Sequence, residues 1–158
     1  MAKNNKILWI IGIILLVIYL TQPPEKEVMK KKASISDFSK CKAVTISNAG
    51  STLTNYPAYI RILYDNDMQP TFTDLMFMDN PTCGEDGTEL AYEIDNYAGG
   101  DYAGIWVRIP SLLTPSTTIS MYYGNLDPIS RENPTGVWDS SYKMVHHFAE
   151  TSGNYYLD

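Results

Sequence analysis

The chain is poor in the residues and motifs from which most enzyme and metal sites are recognised. Its 158 residues include only two cysteines and two histidines, too few for a four-cysteine zinc site or a disulfide-rich mini-protein. It also lacks the glycine-rich phosphate-binding motif, the dinucleotide-binding motif and the G-x-S-x-G nucleophile motif. The sequence therefore gives no support to a four-cysteine zinc site or to the common nucleotide-binding and serine-hydrolase classes.

Basic residues are scarce after position 40. Residues 41–158 carry five basic and fifteen acidic side chains, a net charge of −10, whereas residues 1–40 have a net charge of +4. An acidic domain repels the phosphate backbone of nucleic acids, so we expect no nucleic-acid partner. About 118 residues are enough to bury a hydrophobic core without the help of metals.

A long hydrophobic run occurs once, at residues 7–20, and reads ILWIIGIILLVIYL after Lys3 and Lys6. As a helix it spans roughly 21 Å, against about 30 Å for the hydrocarbon core of a bilayer. No A-x-A cleavage site follows, which favours an uncleaved signal-anchor over a cleaved signal peptide or a buried core helix. We expect a signal-anchor helix over residues 1–21 and a charged juxtamembrane linker over residues 22–40. Lysines flank the run on both sides and leave its orientation open; we favour an extracytoplasmic location for the downstream domain.

Amphipathic helical patterns are missing after position 40, apart from one helical turn predicted at 128–132. Short runs rich in β-branched and aromatic residues alternate instead with Gly, Pro, Asn and Asp. The predicted strands lie at 42–47, 58–64, 75–78, 90–94, 105–109, 117–123 and 143–148, with 155–157 as a further candidate. This spacing predicts an all-β fold over residues 41–141, a β-sandwich of two antiparallel sheets, either jelly-roll or immunoglobulin-like.

Six short motifs follow one another in this β-rich region. They are KAVTISNAGSTLTNYPAYIRI at 42–62, FTDL at 72–75, DGTELAYEID at 86–95, IWVRIPSL at 105–112, STTISMYYGN at 116–125 and VWDS at 137–140. In this order they resemble a family of domains of unknown function found in large archaeal and bacterial surface proteins. The resemblance implies a building block of a prokaryotic, more often archaeal, cell-surface protein, with an adhesive or carbohydrate-binding role.

The last seventeen residues, 142–158, read YKMVHHFAETSGNYYLD. They resemble the first strand and turn of a concanavalin-A-like (laminin-G-like) domain, which often follows modules of this family. The resemblance implies a truncated second domain at 142–158. The alternative is that this segment supplies the final strand of the sandwich.

Glu93-Ile94-Asp95 has the form of a glycoside-hydrolase motif. On a strand, Glu93 and Asp95 share one face at roughly 7 Å, as in the E-I-D-x-x-E motif of family-16-type β-glucanases. The third carboxylate of that motif is missing, because residues 96–98 carry none. A glycosidase needs two carboxylates that flank the scissile bond. We therefore expect no enzyme activity, with glycoside hydrolysis as a remote alternative.

Metal binding has weak support. His146 and His147 are adjacent and would face opposite sides of a strand, so they are poorly placed to bind one metal ion. A structural role at a sheet surface is the better interpretation. Two acidic loops could offer oxygen ligands to Ca²⁺, without the spacing of an EF-hand; their aspartates are Asp65, Asp67, Asp79 and Asp86. We expect no cofactor, with a structural Ca²⁺ as the alternative.

The two cysteines, Cys41 and Cys83, are expected outside the cytoplasm, where an even number of cysteines in a short domain favours a disulfide. The bond would close a loop of about 40 residues and contribute on the order of 3–4 kcal/mol. Two separate thiols are the alternative.

Tyrosine is abundant, with twelve copies. Aromatic rings stack on the C–H groups of pyranose sugars, and four tyrosines lie in or beside loops: Tyr97, Tyr102, Tyr155 and Tyr156. Tyrosine is also an ordinary strand residue, so plain packing is the alternative. The sequence as a whole predicts a membrane-anchored, extracytoplasmic module of a cell-surface protein. It would contact the membrane through residues 7–20 and bind a polysaccharide or another surface protein. A passive structural spacer in a cell-envelope assembly is the alternative.

Overall fold

The computed structural model describes residues 34–84, 87–127 and 129–147, and its regular structure is almost entirely β. A short 3₁₀ helix at Ile35–Asp37 precedes the strands, and α1 (Pro134–Val137) follows them. The six strands are β1 (Lys40–Ser47), β2 (Leu53–Leu63), β3 (Met76–Met78), β4 (Tyr92–Ala98), β5 (Tyr102–Leu112) and β6 (Ser116–Tyr123). The predicted signal-anchor at 1–21 lies outside the described residues, as do residues 22–33 of the predicted linker. Among the residues described, no helix is long and apolar enough to cross a membrane.

The strands form two three-stranded sheets, in the orders β1-β6-β3 and β2-β5-β4. Every pairing between neighbouring strands is antiparallel. Buried side chains from both sheets meet in one large hydrophobic cluster. A second, smaller cluster consists of Phe38, Met76, Met78 and Tyr122. The predicted β-sandwich of two antiparallel sheets is therefore confirmed.

Alternation along β5 divides the β2-β5-β4 sheet into a core face and an outer face, because successive side chains point to opposite sides of a strand. The core face of β5 carries four buried aliphatic residues, Ala103, Ile105, Val107 and Ile109. Ile119 and Met121 of β6 belong to the same core cluster. Trp106 and Arg108 lie between the buried residues of β5 and point outward, where they are partly exposed.

A disulfide joins Cys41 on β1 to Cys83 in the loop after β3, across 42 positions of the sequence. Beside it, the backbone N–H of Gly84 donates a hydrogen bond to the Tyr122 hydroxyl on β6, at 2.8 Å. The loop after β3 is thereby tied back to the β1-β6-β3 sheet. This is the pairing that the sequence analysis favoured for its two cysteines.

Two strand boundaries differ from those predicted around the turn at Gly99 and Gly100. The apolar runs predicted strands at 90–94 and 105–109, whereas β4 extends to Ala98 and β5 begins at Tyr102. The backbone N–H of Asp101 donates to Ala98 O at 2.9 Å, which closes a tight turn between them. Backbone pairing therefore continues past the apolar residues to the turn.

The region after β6 also differs from the prediction. The helical turn predicted at 128–132 is replaced by α1 at Pro134–Val137. Pro134 opens the helix, and the Asn133 side chain accepts a hydrogen bond from the Gly136 N–H at 2.9 Å, a favourable N-cap. The strand predicted at 143–148 is absent over residues 143–147. Side-chain contacts, described below, hold this segment instead of a backbone ladder.

Candidate functional site

The outer face of the β2-β5-β4 sheet carries large aromatic side chains on neighbouring strands. Tyr59 of β2 stands directly opposite Trp106 of β5 in the ladder. Their ring centroids are 5.0 Å apart. The ring of Tyr59 lies over Gly104, where an added Cβ would come within 2.0 Å of the tyrosine hydroxyl oxygen. Glycine at 104 thus leaves the room that this ring occupies.

Residues 138–147, which we call the C-terminal strap, bring two more aromatic rings to this face. The centroid of Trp138 lies 5.2 Å from that of Trp106, and Tyr142 lies 5.1 Å from Trp138, both in edge-to-face geometry. Edge-to-face pairs at these distances are favourable. Tyr59, Trp106, Trp138 and Tyr142 form what we call the aromatic row, and both of its terminal tyrosines are exposed.

Polar contacts to β4 and β5 hold the strap on the sheet. The indole N–H of Trp138 donates a hydrogen bond to the Glu93 carboxylate. Arg108 forms an ion pair with Asp139 at 2.6 Å, and it also donates a hydrogen bond at 3.1 Å to Gly136 O of α1, just before the strap. The strap therefore contacts the outer face through groups that project from two strands.

The pKa of Asp139 is lowered from its ordinary value. The largest cause is a hydrogen bond from the Ser141 backbone N–H, and the Arg108 guanidinium adds to it. Donated hydrogen bonds and a nearby positive charge both favour the ionised carboxylate. The ionised form of Asp139 is therefore favoured, which suits its ion pair with Arg108.

Glu93 and Asp95 come together as alternation predicts, and His147 of the strap bridges them. Nδ1 of His147 lies 2.6 Å from Asp95 Oδ1, and its Nε2 lies 3.5 Å from Glu93 Oε2. A register shift in the β4–β5 ladder between Ile94 and Asn96 leaves Asp95 outside the regular pairing. Both carboxylates thus contact the strap, and neither stands alone in an open cleft.

The tyrosines predicted to bind a ligand do not belong to the aromatic row. Tyr97 is exposed and packs edge-to-face on Phe72, at 6.3 Å between centroids. Tyr102 is partly buried under the Arg61 guanidinium, which lies 4.0 Å from its ring centroid. Tyr155 and Tyr156 lie outside the described residues.

Sequence reasoning did not single out the members of the aromatic row. A signal was available for Trp106, because alternation places it on the face opposite the buried Val107 and Ile109. Nothing comparable marked Trp138 or Tyr142. Their place in the row depends on contacts between segments far apart in the sequence.

The acidic loops named as calcium candidates hold other partners. Asp65 pairs with Lys42 at 2.7 Å, and this hydrogen bond is the largest cause of its lowered pKa. Asp67 pairs with Lys40 at 3.0 Å. Asp79 accepts a hydrogen bond from the Thr88 N–H at 2.6 Å, and Asp86 lies outside the described residues. In the part of the chain that the structure describes, no group of three or more acidic, histidine or cysteine side chains could hold a metal ion.

A comparison with protein families shows which family this chain belongs to. The model described as "Domain of unknown function (DUF2341)" matches residues 71–156, more than half of the chain. The chain belongs to this family. The match confirms the resemblance to an uncharacterised family of domains. The matched range includes α1 and the strap and runs to residue 156. No curated protein and no solved structure matches the chain.

Proposed function

We propose that this member of the DUF2341 family is a membrane-anchored, extracytoplasmic module that binds carbohydrate through the aromatic row. The observation that carries the proposal is the row itself. Four rings follow one another across an outward-facing sheet surface, with centroid separations of 5.0, 5.2 and 5.1 Å. Contiguous apolar surface that remains exposed on a domain commonly marks a site of interaction.

The chemistry of the row suits a sugar chain. Ring faces contact the C–H groups of a pyranose, while its hydroxyls need hydrogen-bonding partners at the border of the contact. Arg61 and Asp139 supply such groups on the outer face and the strap. An open sheet surface offers several shallow contacts, which favours an extended polysaccharide over a small molecule that would need an enclosed cavity.

Binding is a better interpretation than catalysis for Glu93 and Asp95. Glu93 accepts the Trp138 indole N–H, and Asp95 contacts His147 and also accepts from the Asn96 amide at 2.5 Å. Carboxylates engaged in this way orient the strap. A glycosidase instead needs two carboxylates free to flank the substrate bond.

The proposed location is supported by two features that do not involve the aromatic row. The hydrophobic run at 7–20 has the character of a signal-anchor. The Cys41–Cys83 disulfide fits an oxidising compartment, since such bonds are rare in the cytosol. Together they favour a domain displayed outside the membrane.

The test is a binding assay of the full chain in detergent against a broad panel of neutral and acidic polysaccharides. Tyr59→Ala should weaken binding at least tenfold, because the row loses an exposed terminal ring. Tyr56→Ala is a matched control on the same strand, since Tyr56 is 44% exposed and Tyr59 is 47% exposed. Tyr56 pairs with Ile109 and has no ring contact with the aromatic row among the described residues.

Two results would count against the proposal. If binding were saturable and both tyrosine variants weakened it equally, the binding site would lie outside the aromatic row. No binding across the whole panel would favour a structural spacer, which should then self-associate or bind a protein partner and tolerate the Tyr59 change.

A further inference from the structure

Side-chain contacts attach the strap to the outer face of the β2-β5-β4 sheet. None of the strap residues, 138–147, is buried. The backbone hydrogen bonds that the structure describes for it stay within the strap or reach α1: the Tyr142 N–H donates to Asp139 O at 3.0 Å, and the Trp138 N–H donates to Pro134 O at 2.8 Å. A segment with little burial and no backbone ladder opens locally at a low cost in free energy. The docking of the strap therefore depends on a few side-chain contacts.

His147, at the end of the strap, lies between two carboxylates of β4. Its Nδ1 is 2.6 Å from Asp95 Oδ1, and its Nε2 is 3.5 Å from Glu93 Oε2. The three side chains are only 17–19% exposed, so most solvent is excluded from the contact. Both ring nitrogens of the histidine thus face a carboxylate oxygen across a short distance.

Oε2 of Glu93 joins the two ends of the strap. It accepts the indole N–H of Trp138, the first residue of the strap, and the same oxygen faces Nε2 of His147, the last residue. The rings of Trp138 and His147 are also neighbours, with centroids 6.2 Å apart. A change in the charge of His147 therefore acts directly on the oxygen that positions Trp138.

Asp95 is oriented by an irregularity in β4. The register shift between Ile94 and Asn96 leaves Asp95 outside the regular ladder. Its Oδ2 accepts a hydrogen bond from the Asn96 amide at 2.5 Å, which leaves Oδ1 for His147. The acceptor that faces Nδ1 of His147 is therefore held by β4 itself.

The protonation state of His147 decides how many of these contacts it can make. A neutral imidazole has one N–H donor, and its other nitrogen carries a lone pair. If Nδ1 donates to Asp95, the lone pair of Nε2 points toward the Glu93 carboxylate, which is unfavourable. A protonated imidazole donates from both nitrogens, and its positive charge strengthens both contacts. The geometry of the docked strap therefore fits the protonated form.

The negative charges on this part of β4 favour the same form. Glu93 and Asp95 are two partly buried carboxylates on one face of the strand. A third carboxylate, that of Glu132, accepts a hydrogen bond at 2.9 Å from the N–H of Ile94, the residue between them. Nearby negative charges favour the protonated form of a histidine. A neutral His147 would leave the charges of its two partners uncompensated.

Two permanently charged cations on the strap and the facing strand have other partners. Arg108 of β5 forms its ion pair with Asp139 at 2.6 Å. Lys143 of the strap donates to Ser140 O at 2.9 Å. Lysine and arginine keep their charge throughout the neutral range, whereas histidine titrates within it. The charge of His147 can therefore be removed while the pair of Arg108 and Asp139 stays intact.

We propose that His147 is a pH-dependent attachment point, which holds the strap on β4 when its imidazole is protonated and releases the strap when the imidazole is neutral. Protonation and docking favour each other, so docking is favoured at mildly acidic pH and weakens as pH rises. The strap carries Trp138 and Tyr142, two of the four rings of the aromatic row. The consequence for ligand binding rests on the proposed function: polysaccharide binding should be strongest at mildly acidic pH.

Tryptophan fluorescence of the full chain in detergent tests the attachment without any ligand. Between about pH 5.5 and pH 8, quenching by acrylamide should increase at least twofold, because release of the strap uncovers Trp138 and Trp106. His147→Gln, which stays neutral, should show the stronger quenching at both pH values. His147→Lys, which stays charged, should show the weaker quenching at both. His146→Gln is the matched control and should keep the pH dependence of the unmodified chain.

Polysaccharide affinity, measured on the same proteins, tests the consequence for binding. It should be about tenfold weaker at the higher pH, the loss expected from one charge-assisted hydrogen bond. His147→Lys should remove this difference between the two pH values. Equal affinity at both pH values in the unmodified chain, despite a change in quenching, would overturn the control of binding by the strap.

Two fluorescence results would overturn the attachment itself. One is quenching that does not change with pH in the unmodified chain. The other is a change with pH that His147→Gln preserves. If quenching changes through His147 but no polysaccharide binds at either pH, the proposed function fails and the pH-dependent attachment stands.

Discussion

The indole N–H of Trp138 donates a hydrogen bond to the carboxylate of Glu93, 45 positions earlier in the chain. This contact joins the start of the strap to the outer face of β4. It also sets Trp138 edge-to-face against Trp106, with 5.2 Å between centroids. One carboxylate therefore positions a central ring of the aromatic row, which links the fold of the strap to the proposed binding surface.

Replacing Glu93 should loosen the strap without unfolding the sandwich. Glu93→Ala leaves a partly buried indole N–H without its acceptor, which should cost about 1–3 kcal/mol. The intrinsic tryptophan fluorescence should shift to the red as Trp138 becomes more exposed, and the urea midpoint should fall. Glu93→Gln, which keeps an acceptor oxygen, is the control and should retain most of the stability. Equal fluorescence and stability in Glu93→Ala and the unmodified chain would contradict this role.

Glycine at 104 should be required for the position of the Tyr59 ring. A Cβ at this position would lie 2.0 Å from the Tyr59 hydroxyl oxygen, so Gly104→Ala must displace that ring. Because the ring end is exposed and can swing away, we expect little change in unfolding midpoint but weaker polysaccharide binding. Combining Gly104→Ala with Tyr59→Ala should weaken binding no more than Tyr59→Ala alone. If the losses of polysaccharide affinity were additive in the double variant, Gly104 would act through a contact other than the Tyr59 ring.

Local patterns predicted much of the fold and only part of the site. The alternation of residues 106–109 is enough to place Val107 and Ile109 on one face and Trp106 on the other, because a half-buried strand has a period of two. The same rule put Glu93 and Asp95 on one face. It failed at residues 143–147, where apolar residues suggested a strand but side-chain contacts hold an irregular strap.

The strap shows why the remainder of the site could not be read from the sequence. Its contacts, Trp138 with Glu93 and His147 with Asp95, are single side-chain interactions between distant segments. No local period encodes them. The two cysteines could either form a disulfide or remain separate thiols. With only these two alternatives, their pairing was easier to predict than the contacts of the strap.

Removing the disulfide should lower stability more than any single surface change. Replacing both Cys41 and Cys83 with alanine opens a loop closed across 42 positions. Loop-closure entropy assigns such a cross-link on the order of 3–4 kcal/mol. Urea unfolding monitored by circular dichroism should reveal this loss, and reducing agent should reproduce it in the unmodified chain. If the double variant matched the oxidised protein in stability, the bond would have no role in holding the loop after β3.

Tyr92 should make the domain sensitive to high pH. Its ring is fully buried and its hydroxyl donates to Leu75 O at 3.0 Å. Burial, with a smaller contribution from the Glu132 charge, raises the pKa of Tyr92 above its ordinary value. In the unfolded chain a tyrosine ionises near pH 10. The unfolded state therefore loses this proton first, and stability falls as pH rises from about 10 toward the raised folded-state pKa.

The expected slope from this one group is about 1.4 kcal/mol per pH unit above pH 10. Tyr92→Phe removes the ionisable group, so its stability should fall less steeply over the same range. At neutral pH the variant should lose about 1 kcal/mol with the hydrogen bond to Leu75. Chemical unfolding of both proteins between pH 7 and about pH 11.5 separates the two effects, because only the titration depends on pH. If the free energy of unfolding fell equally steeply with pH in both proteins above pH 10, groups other than the Tyr92 phenol would govern unfolding at high pH.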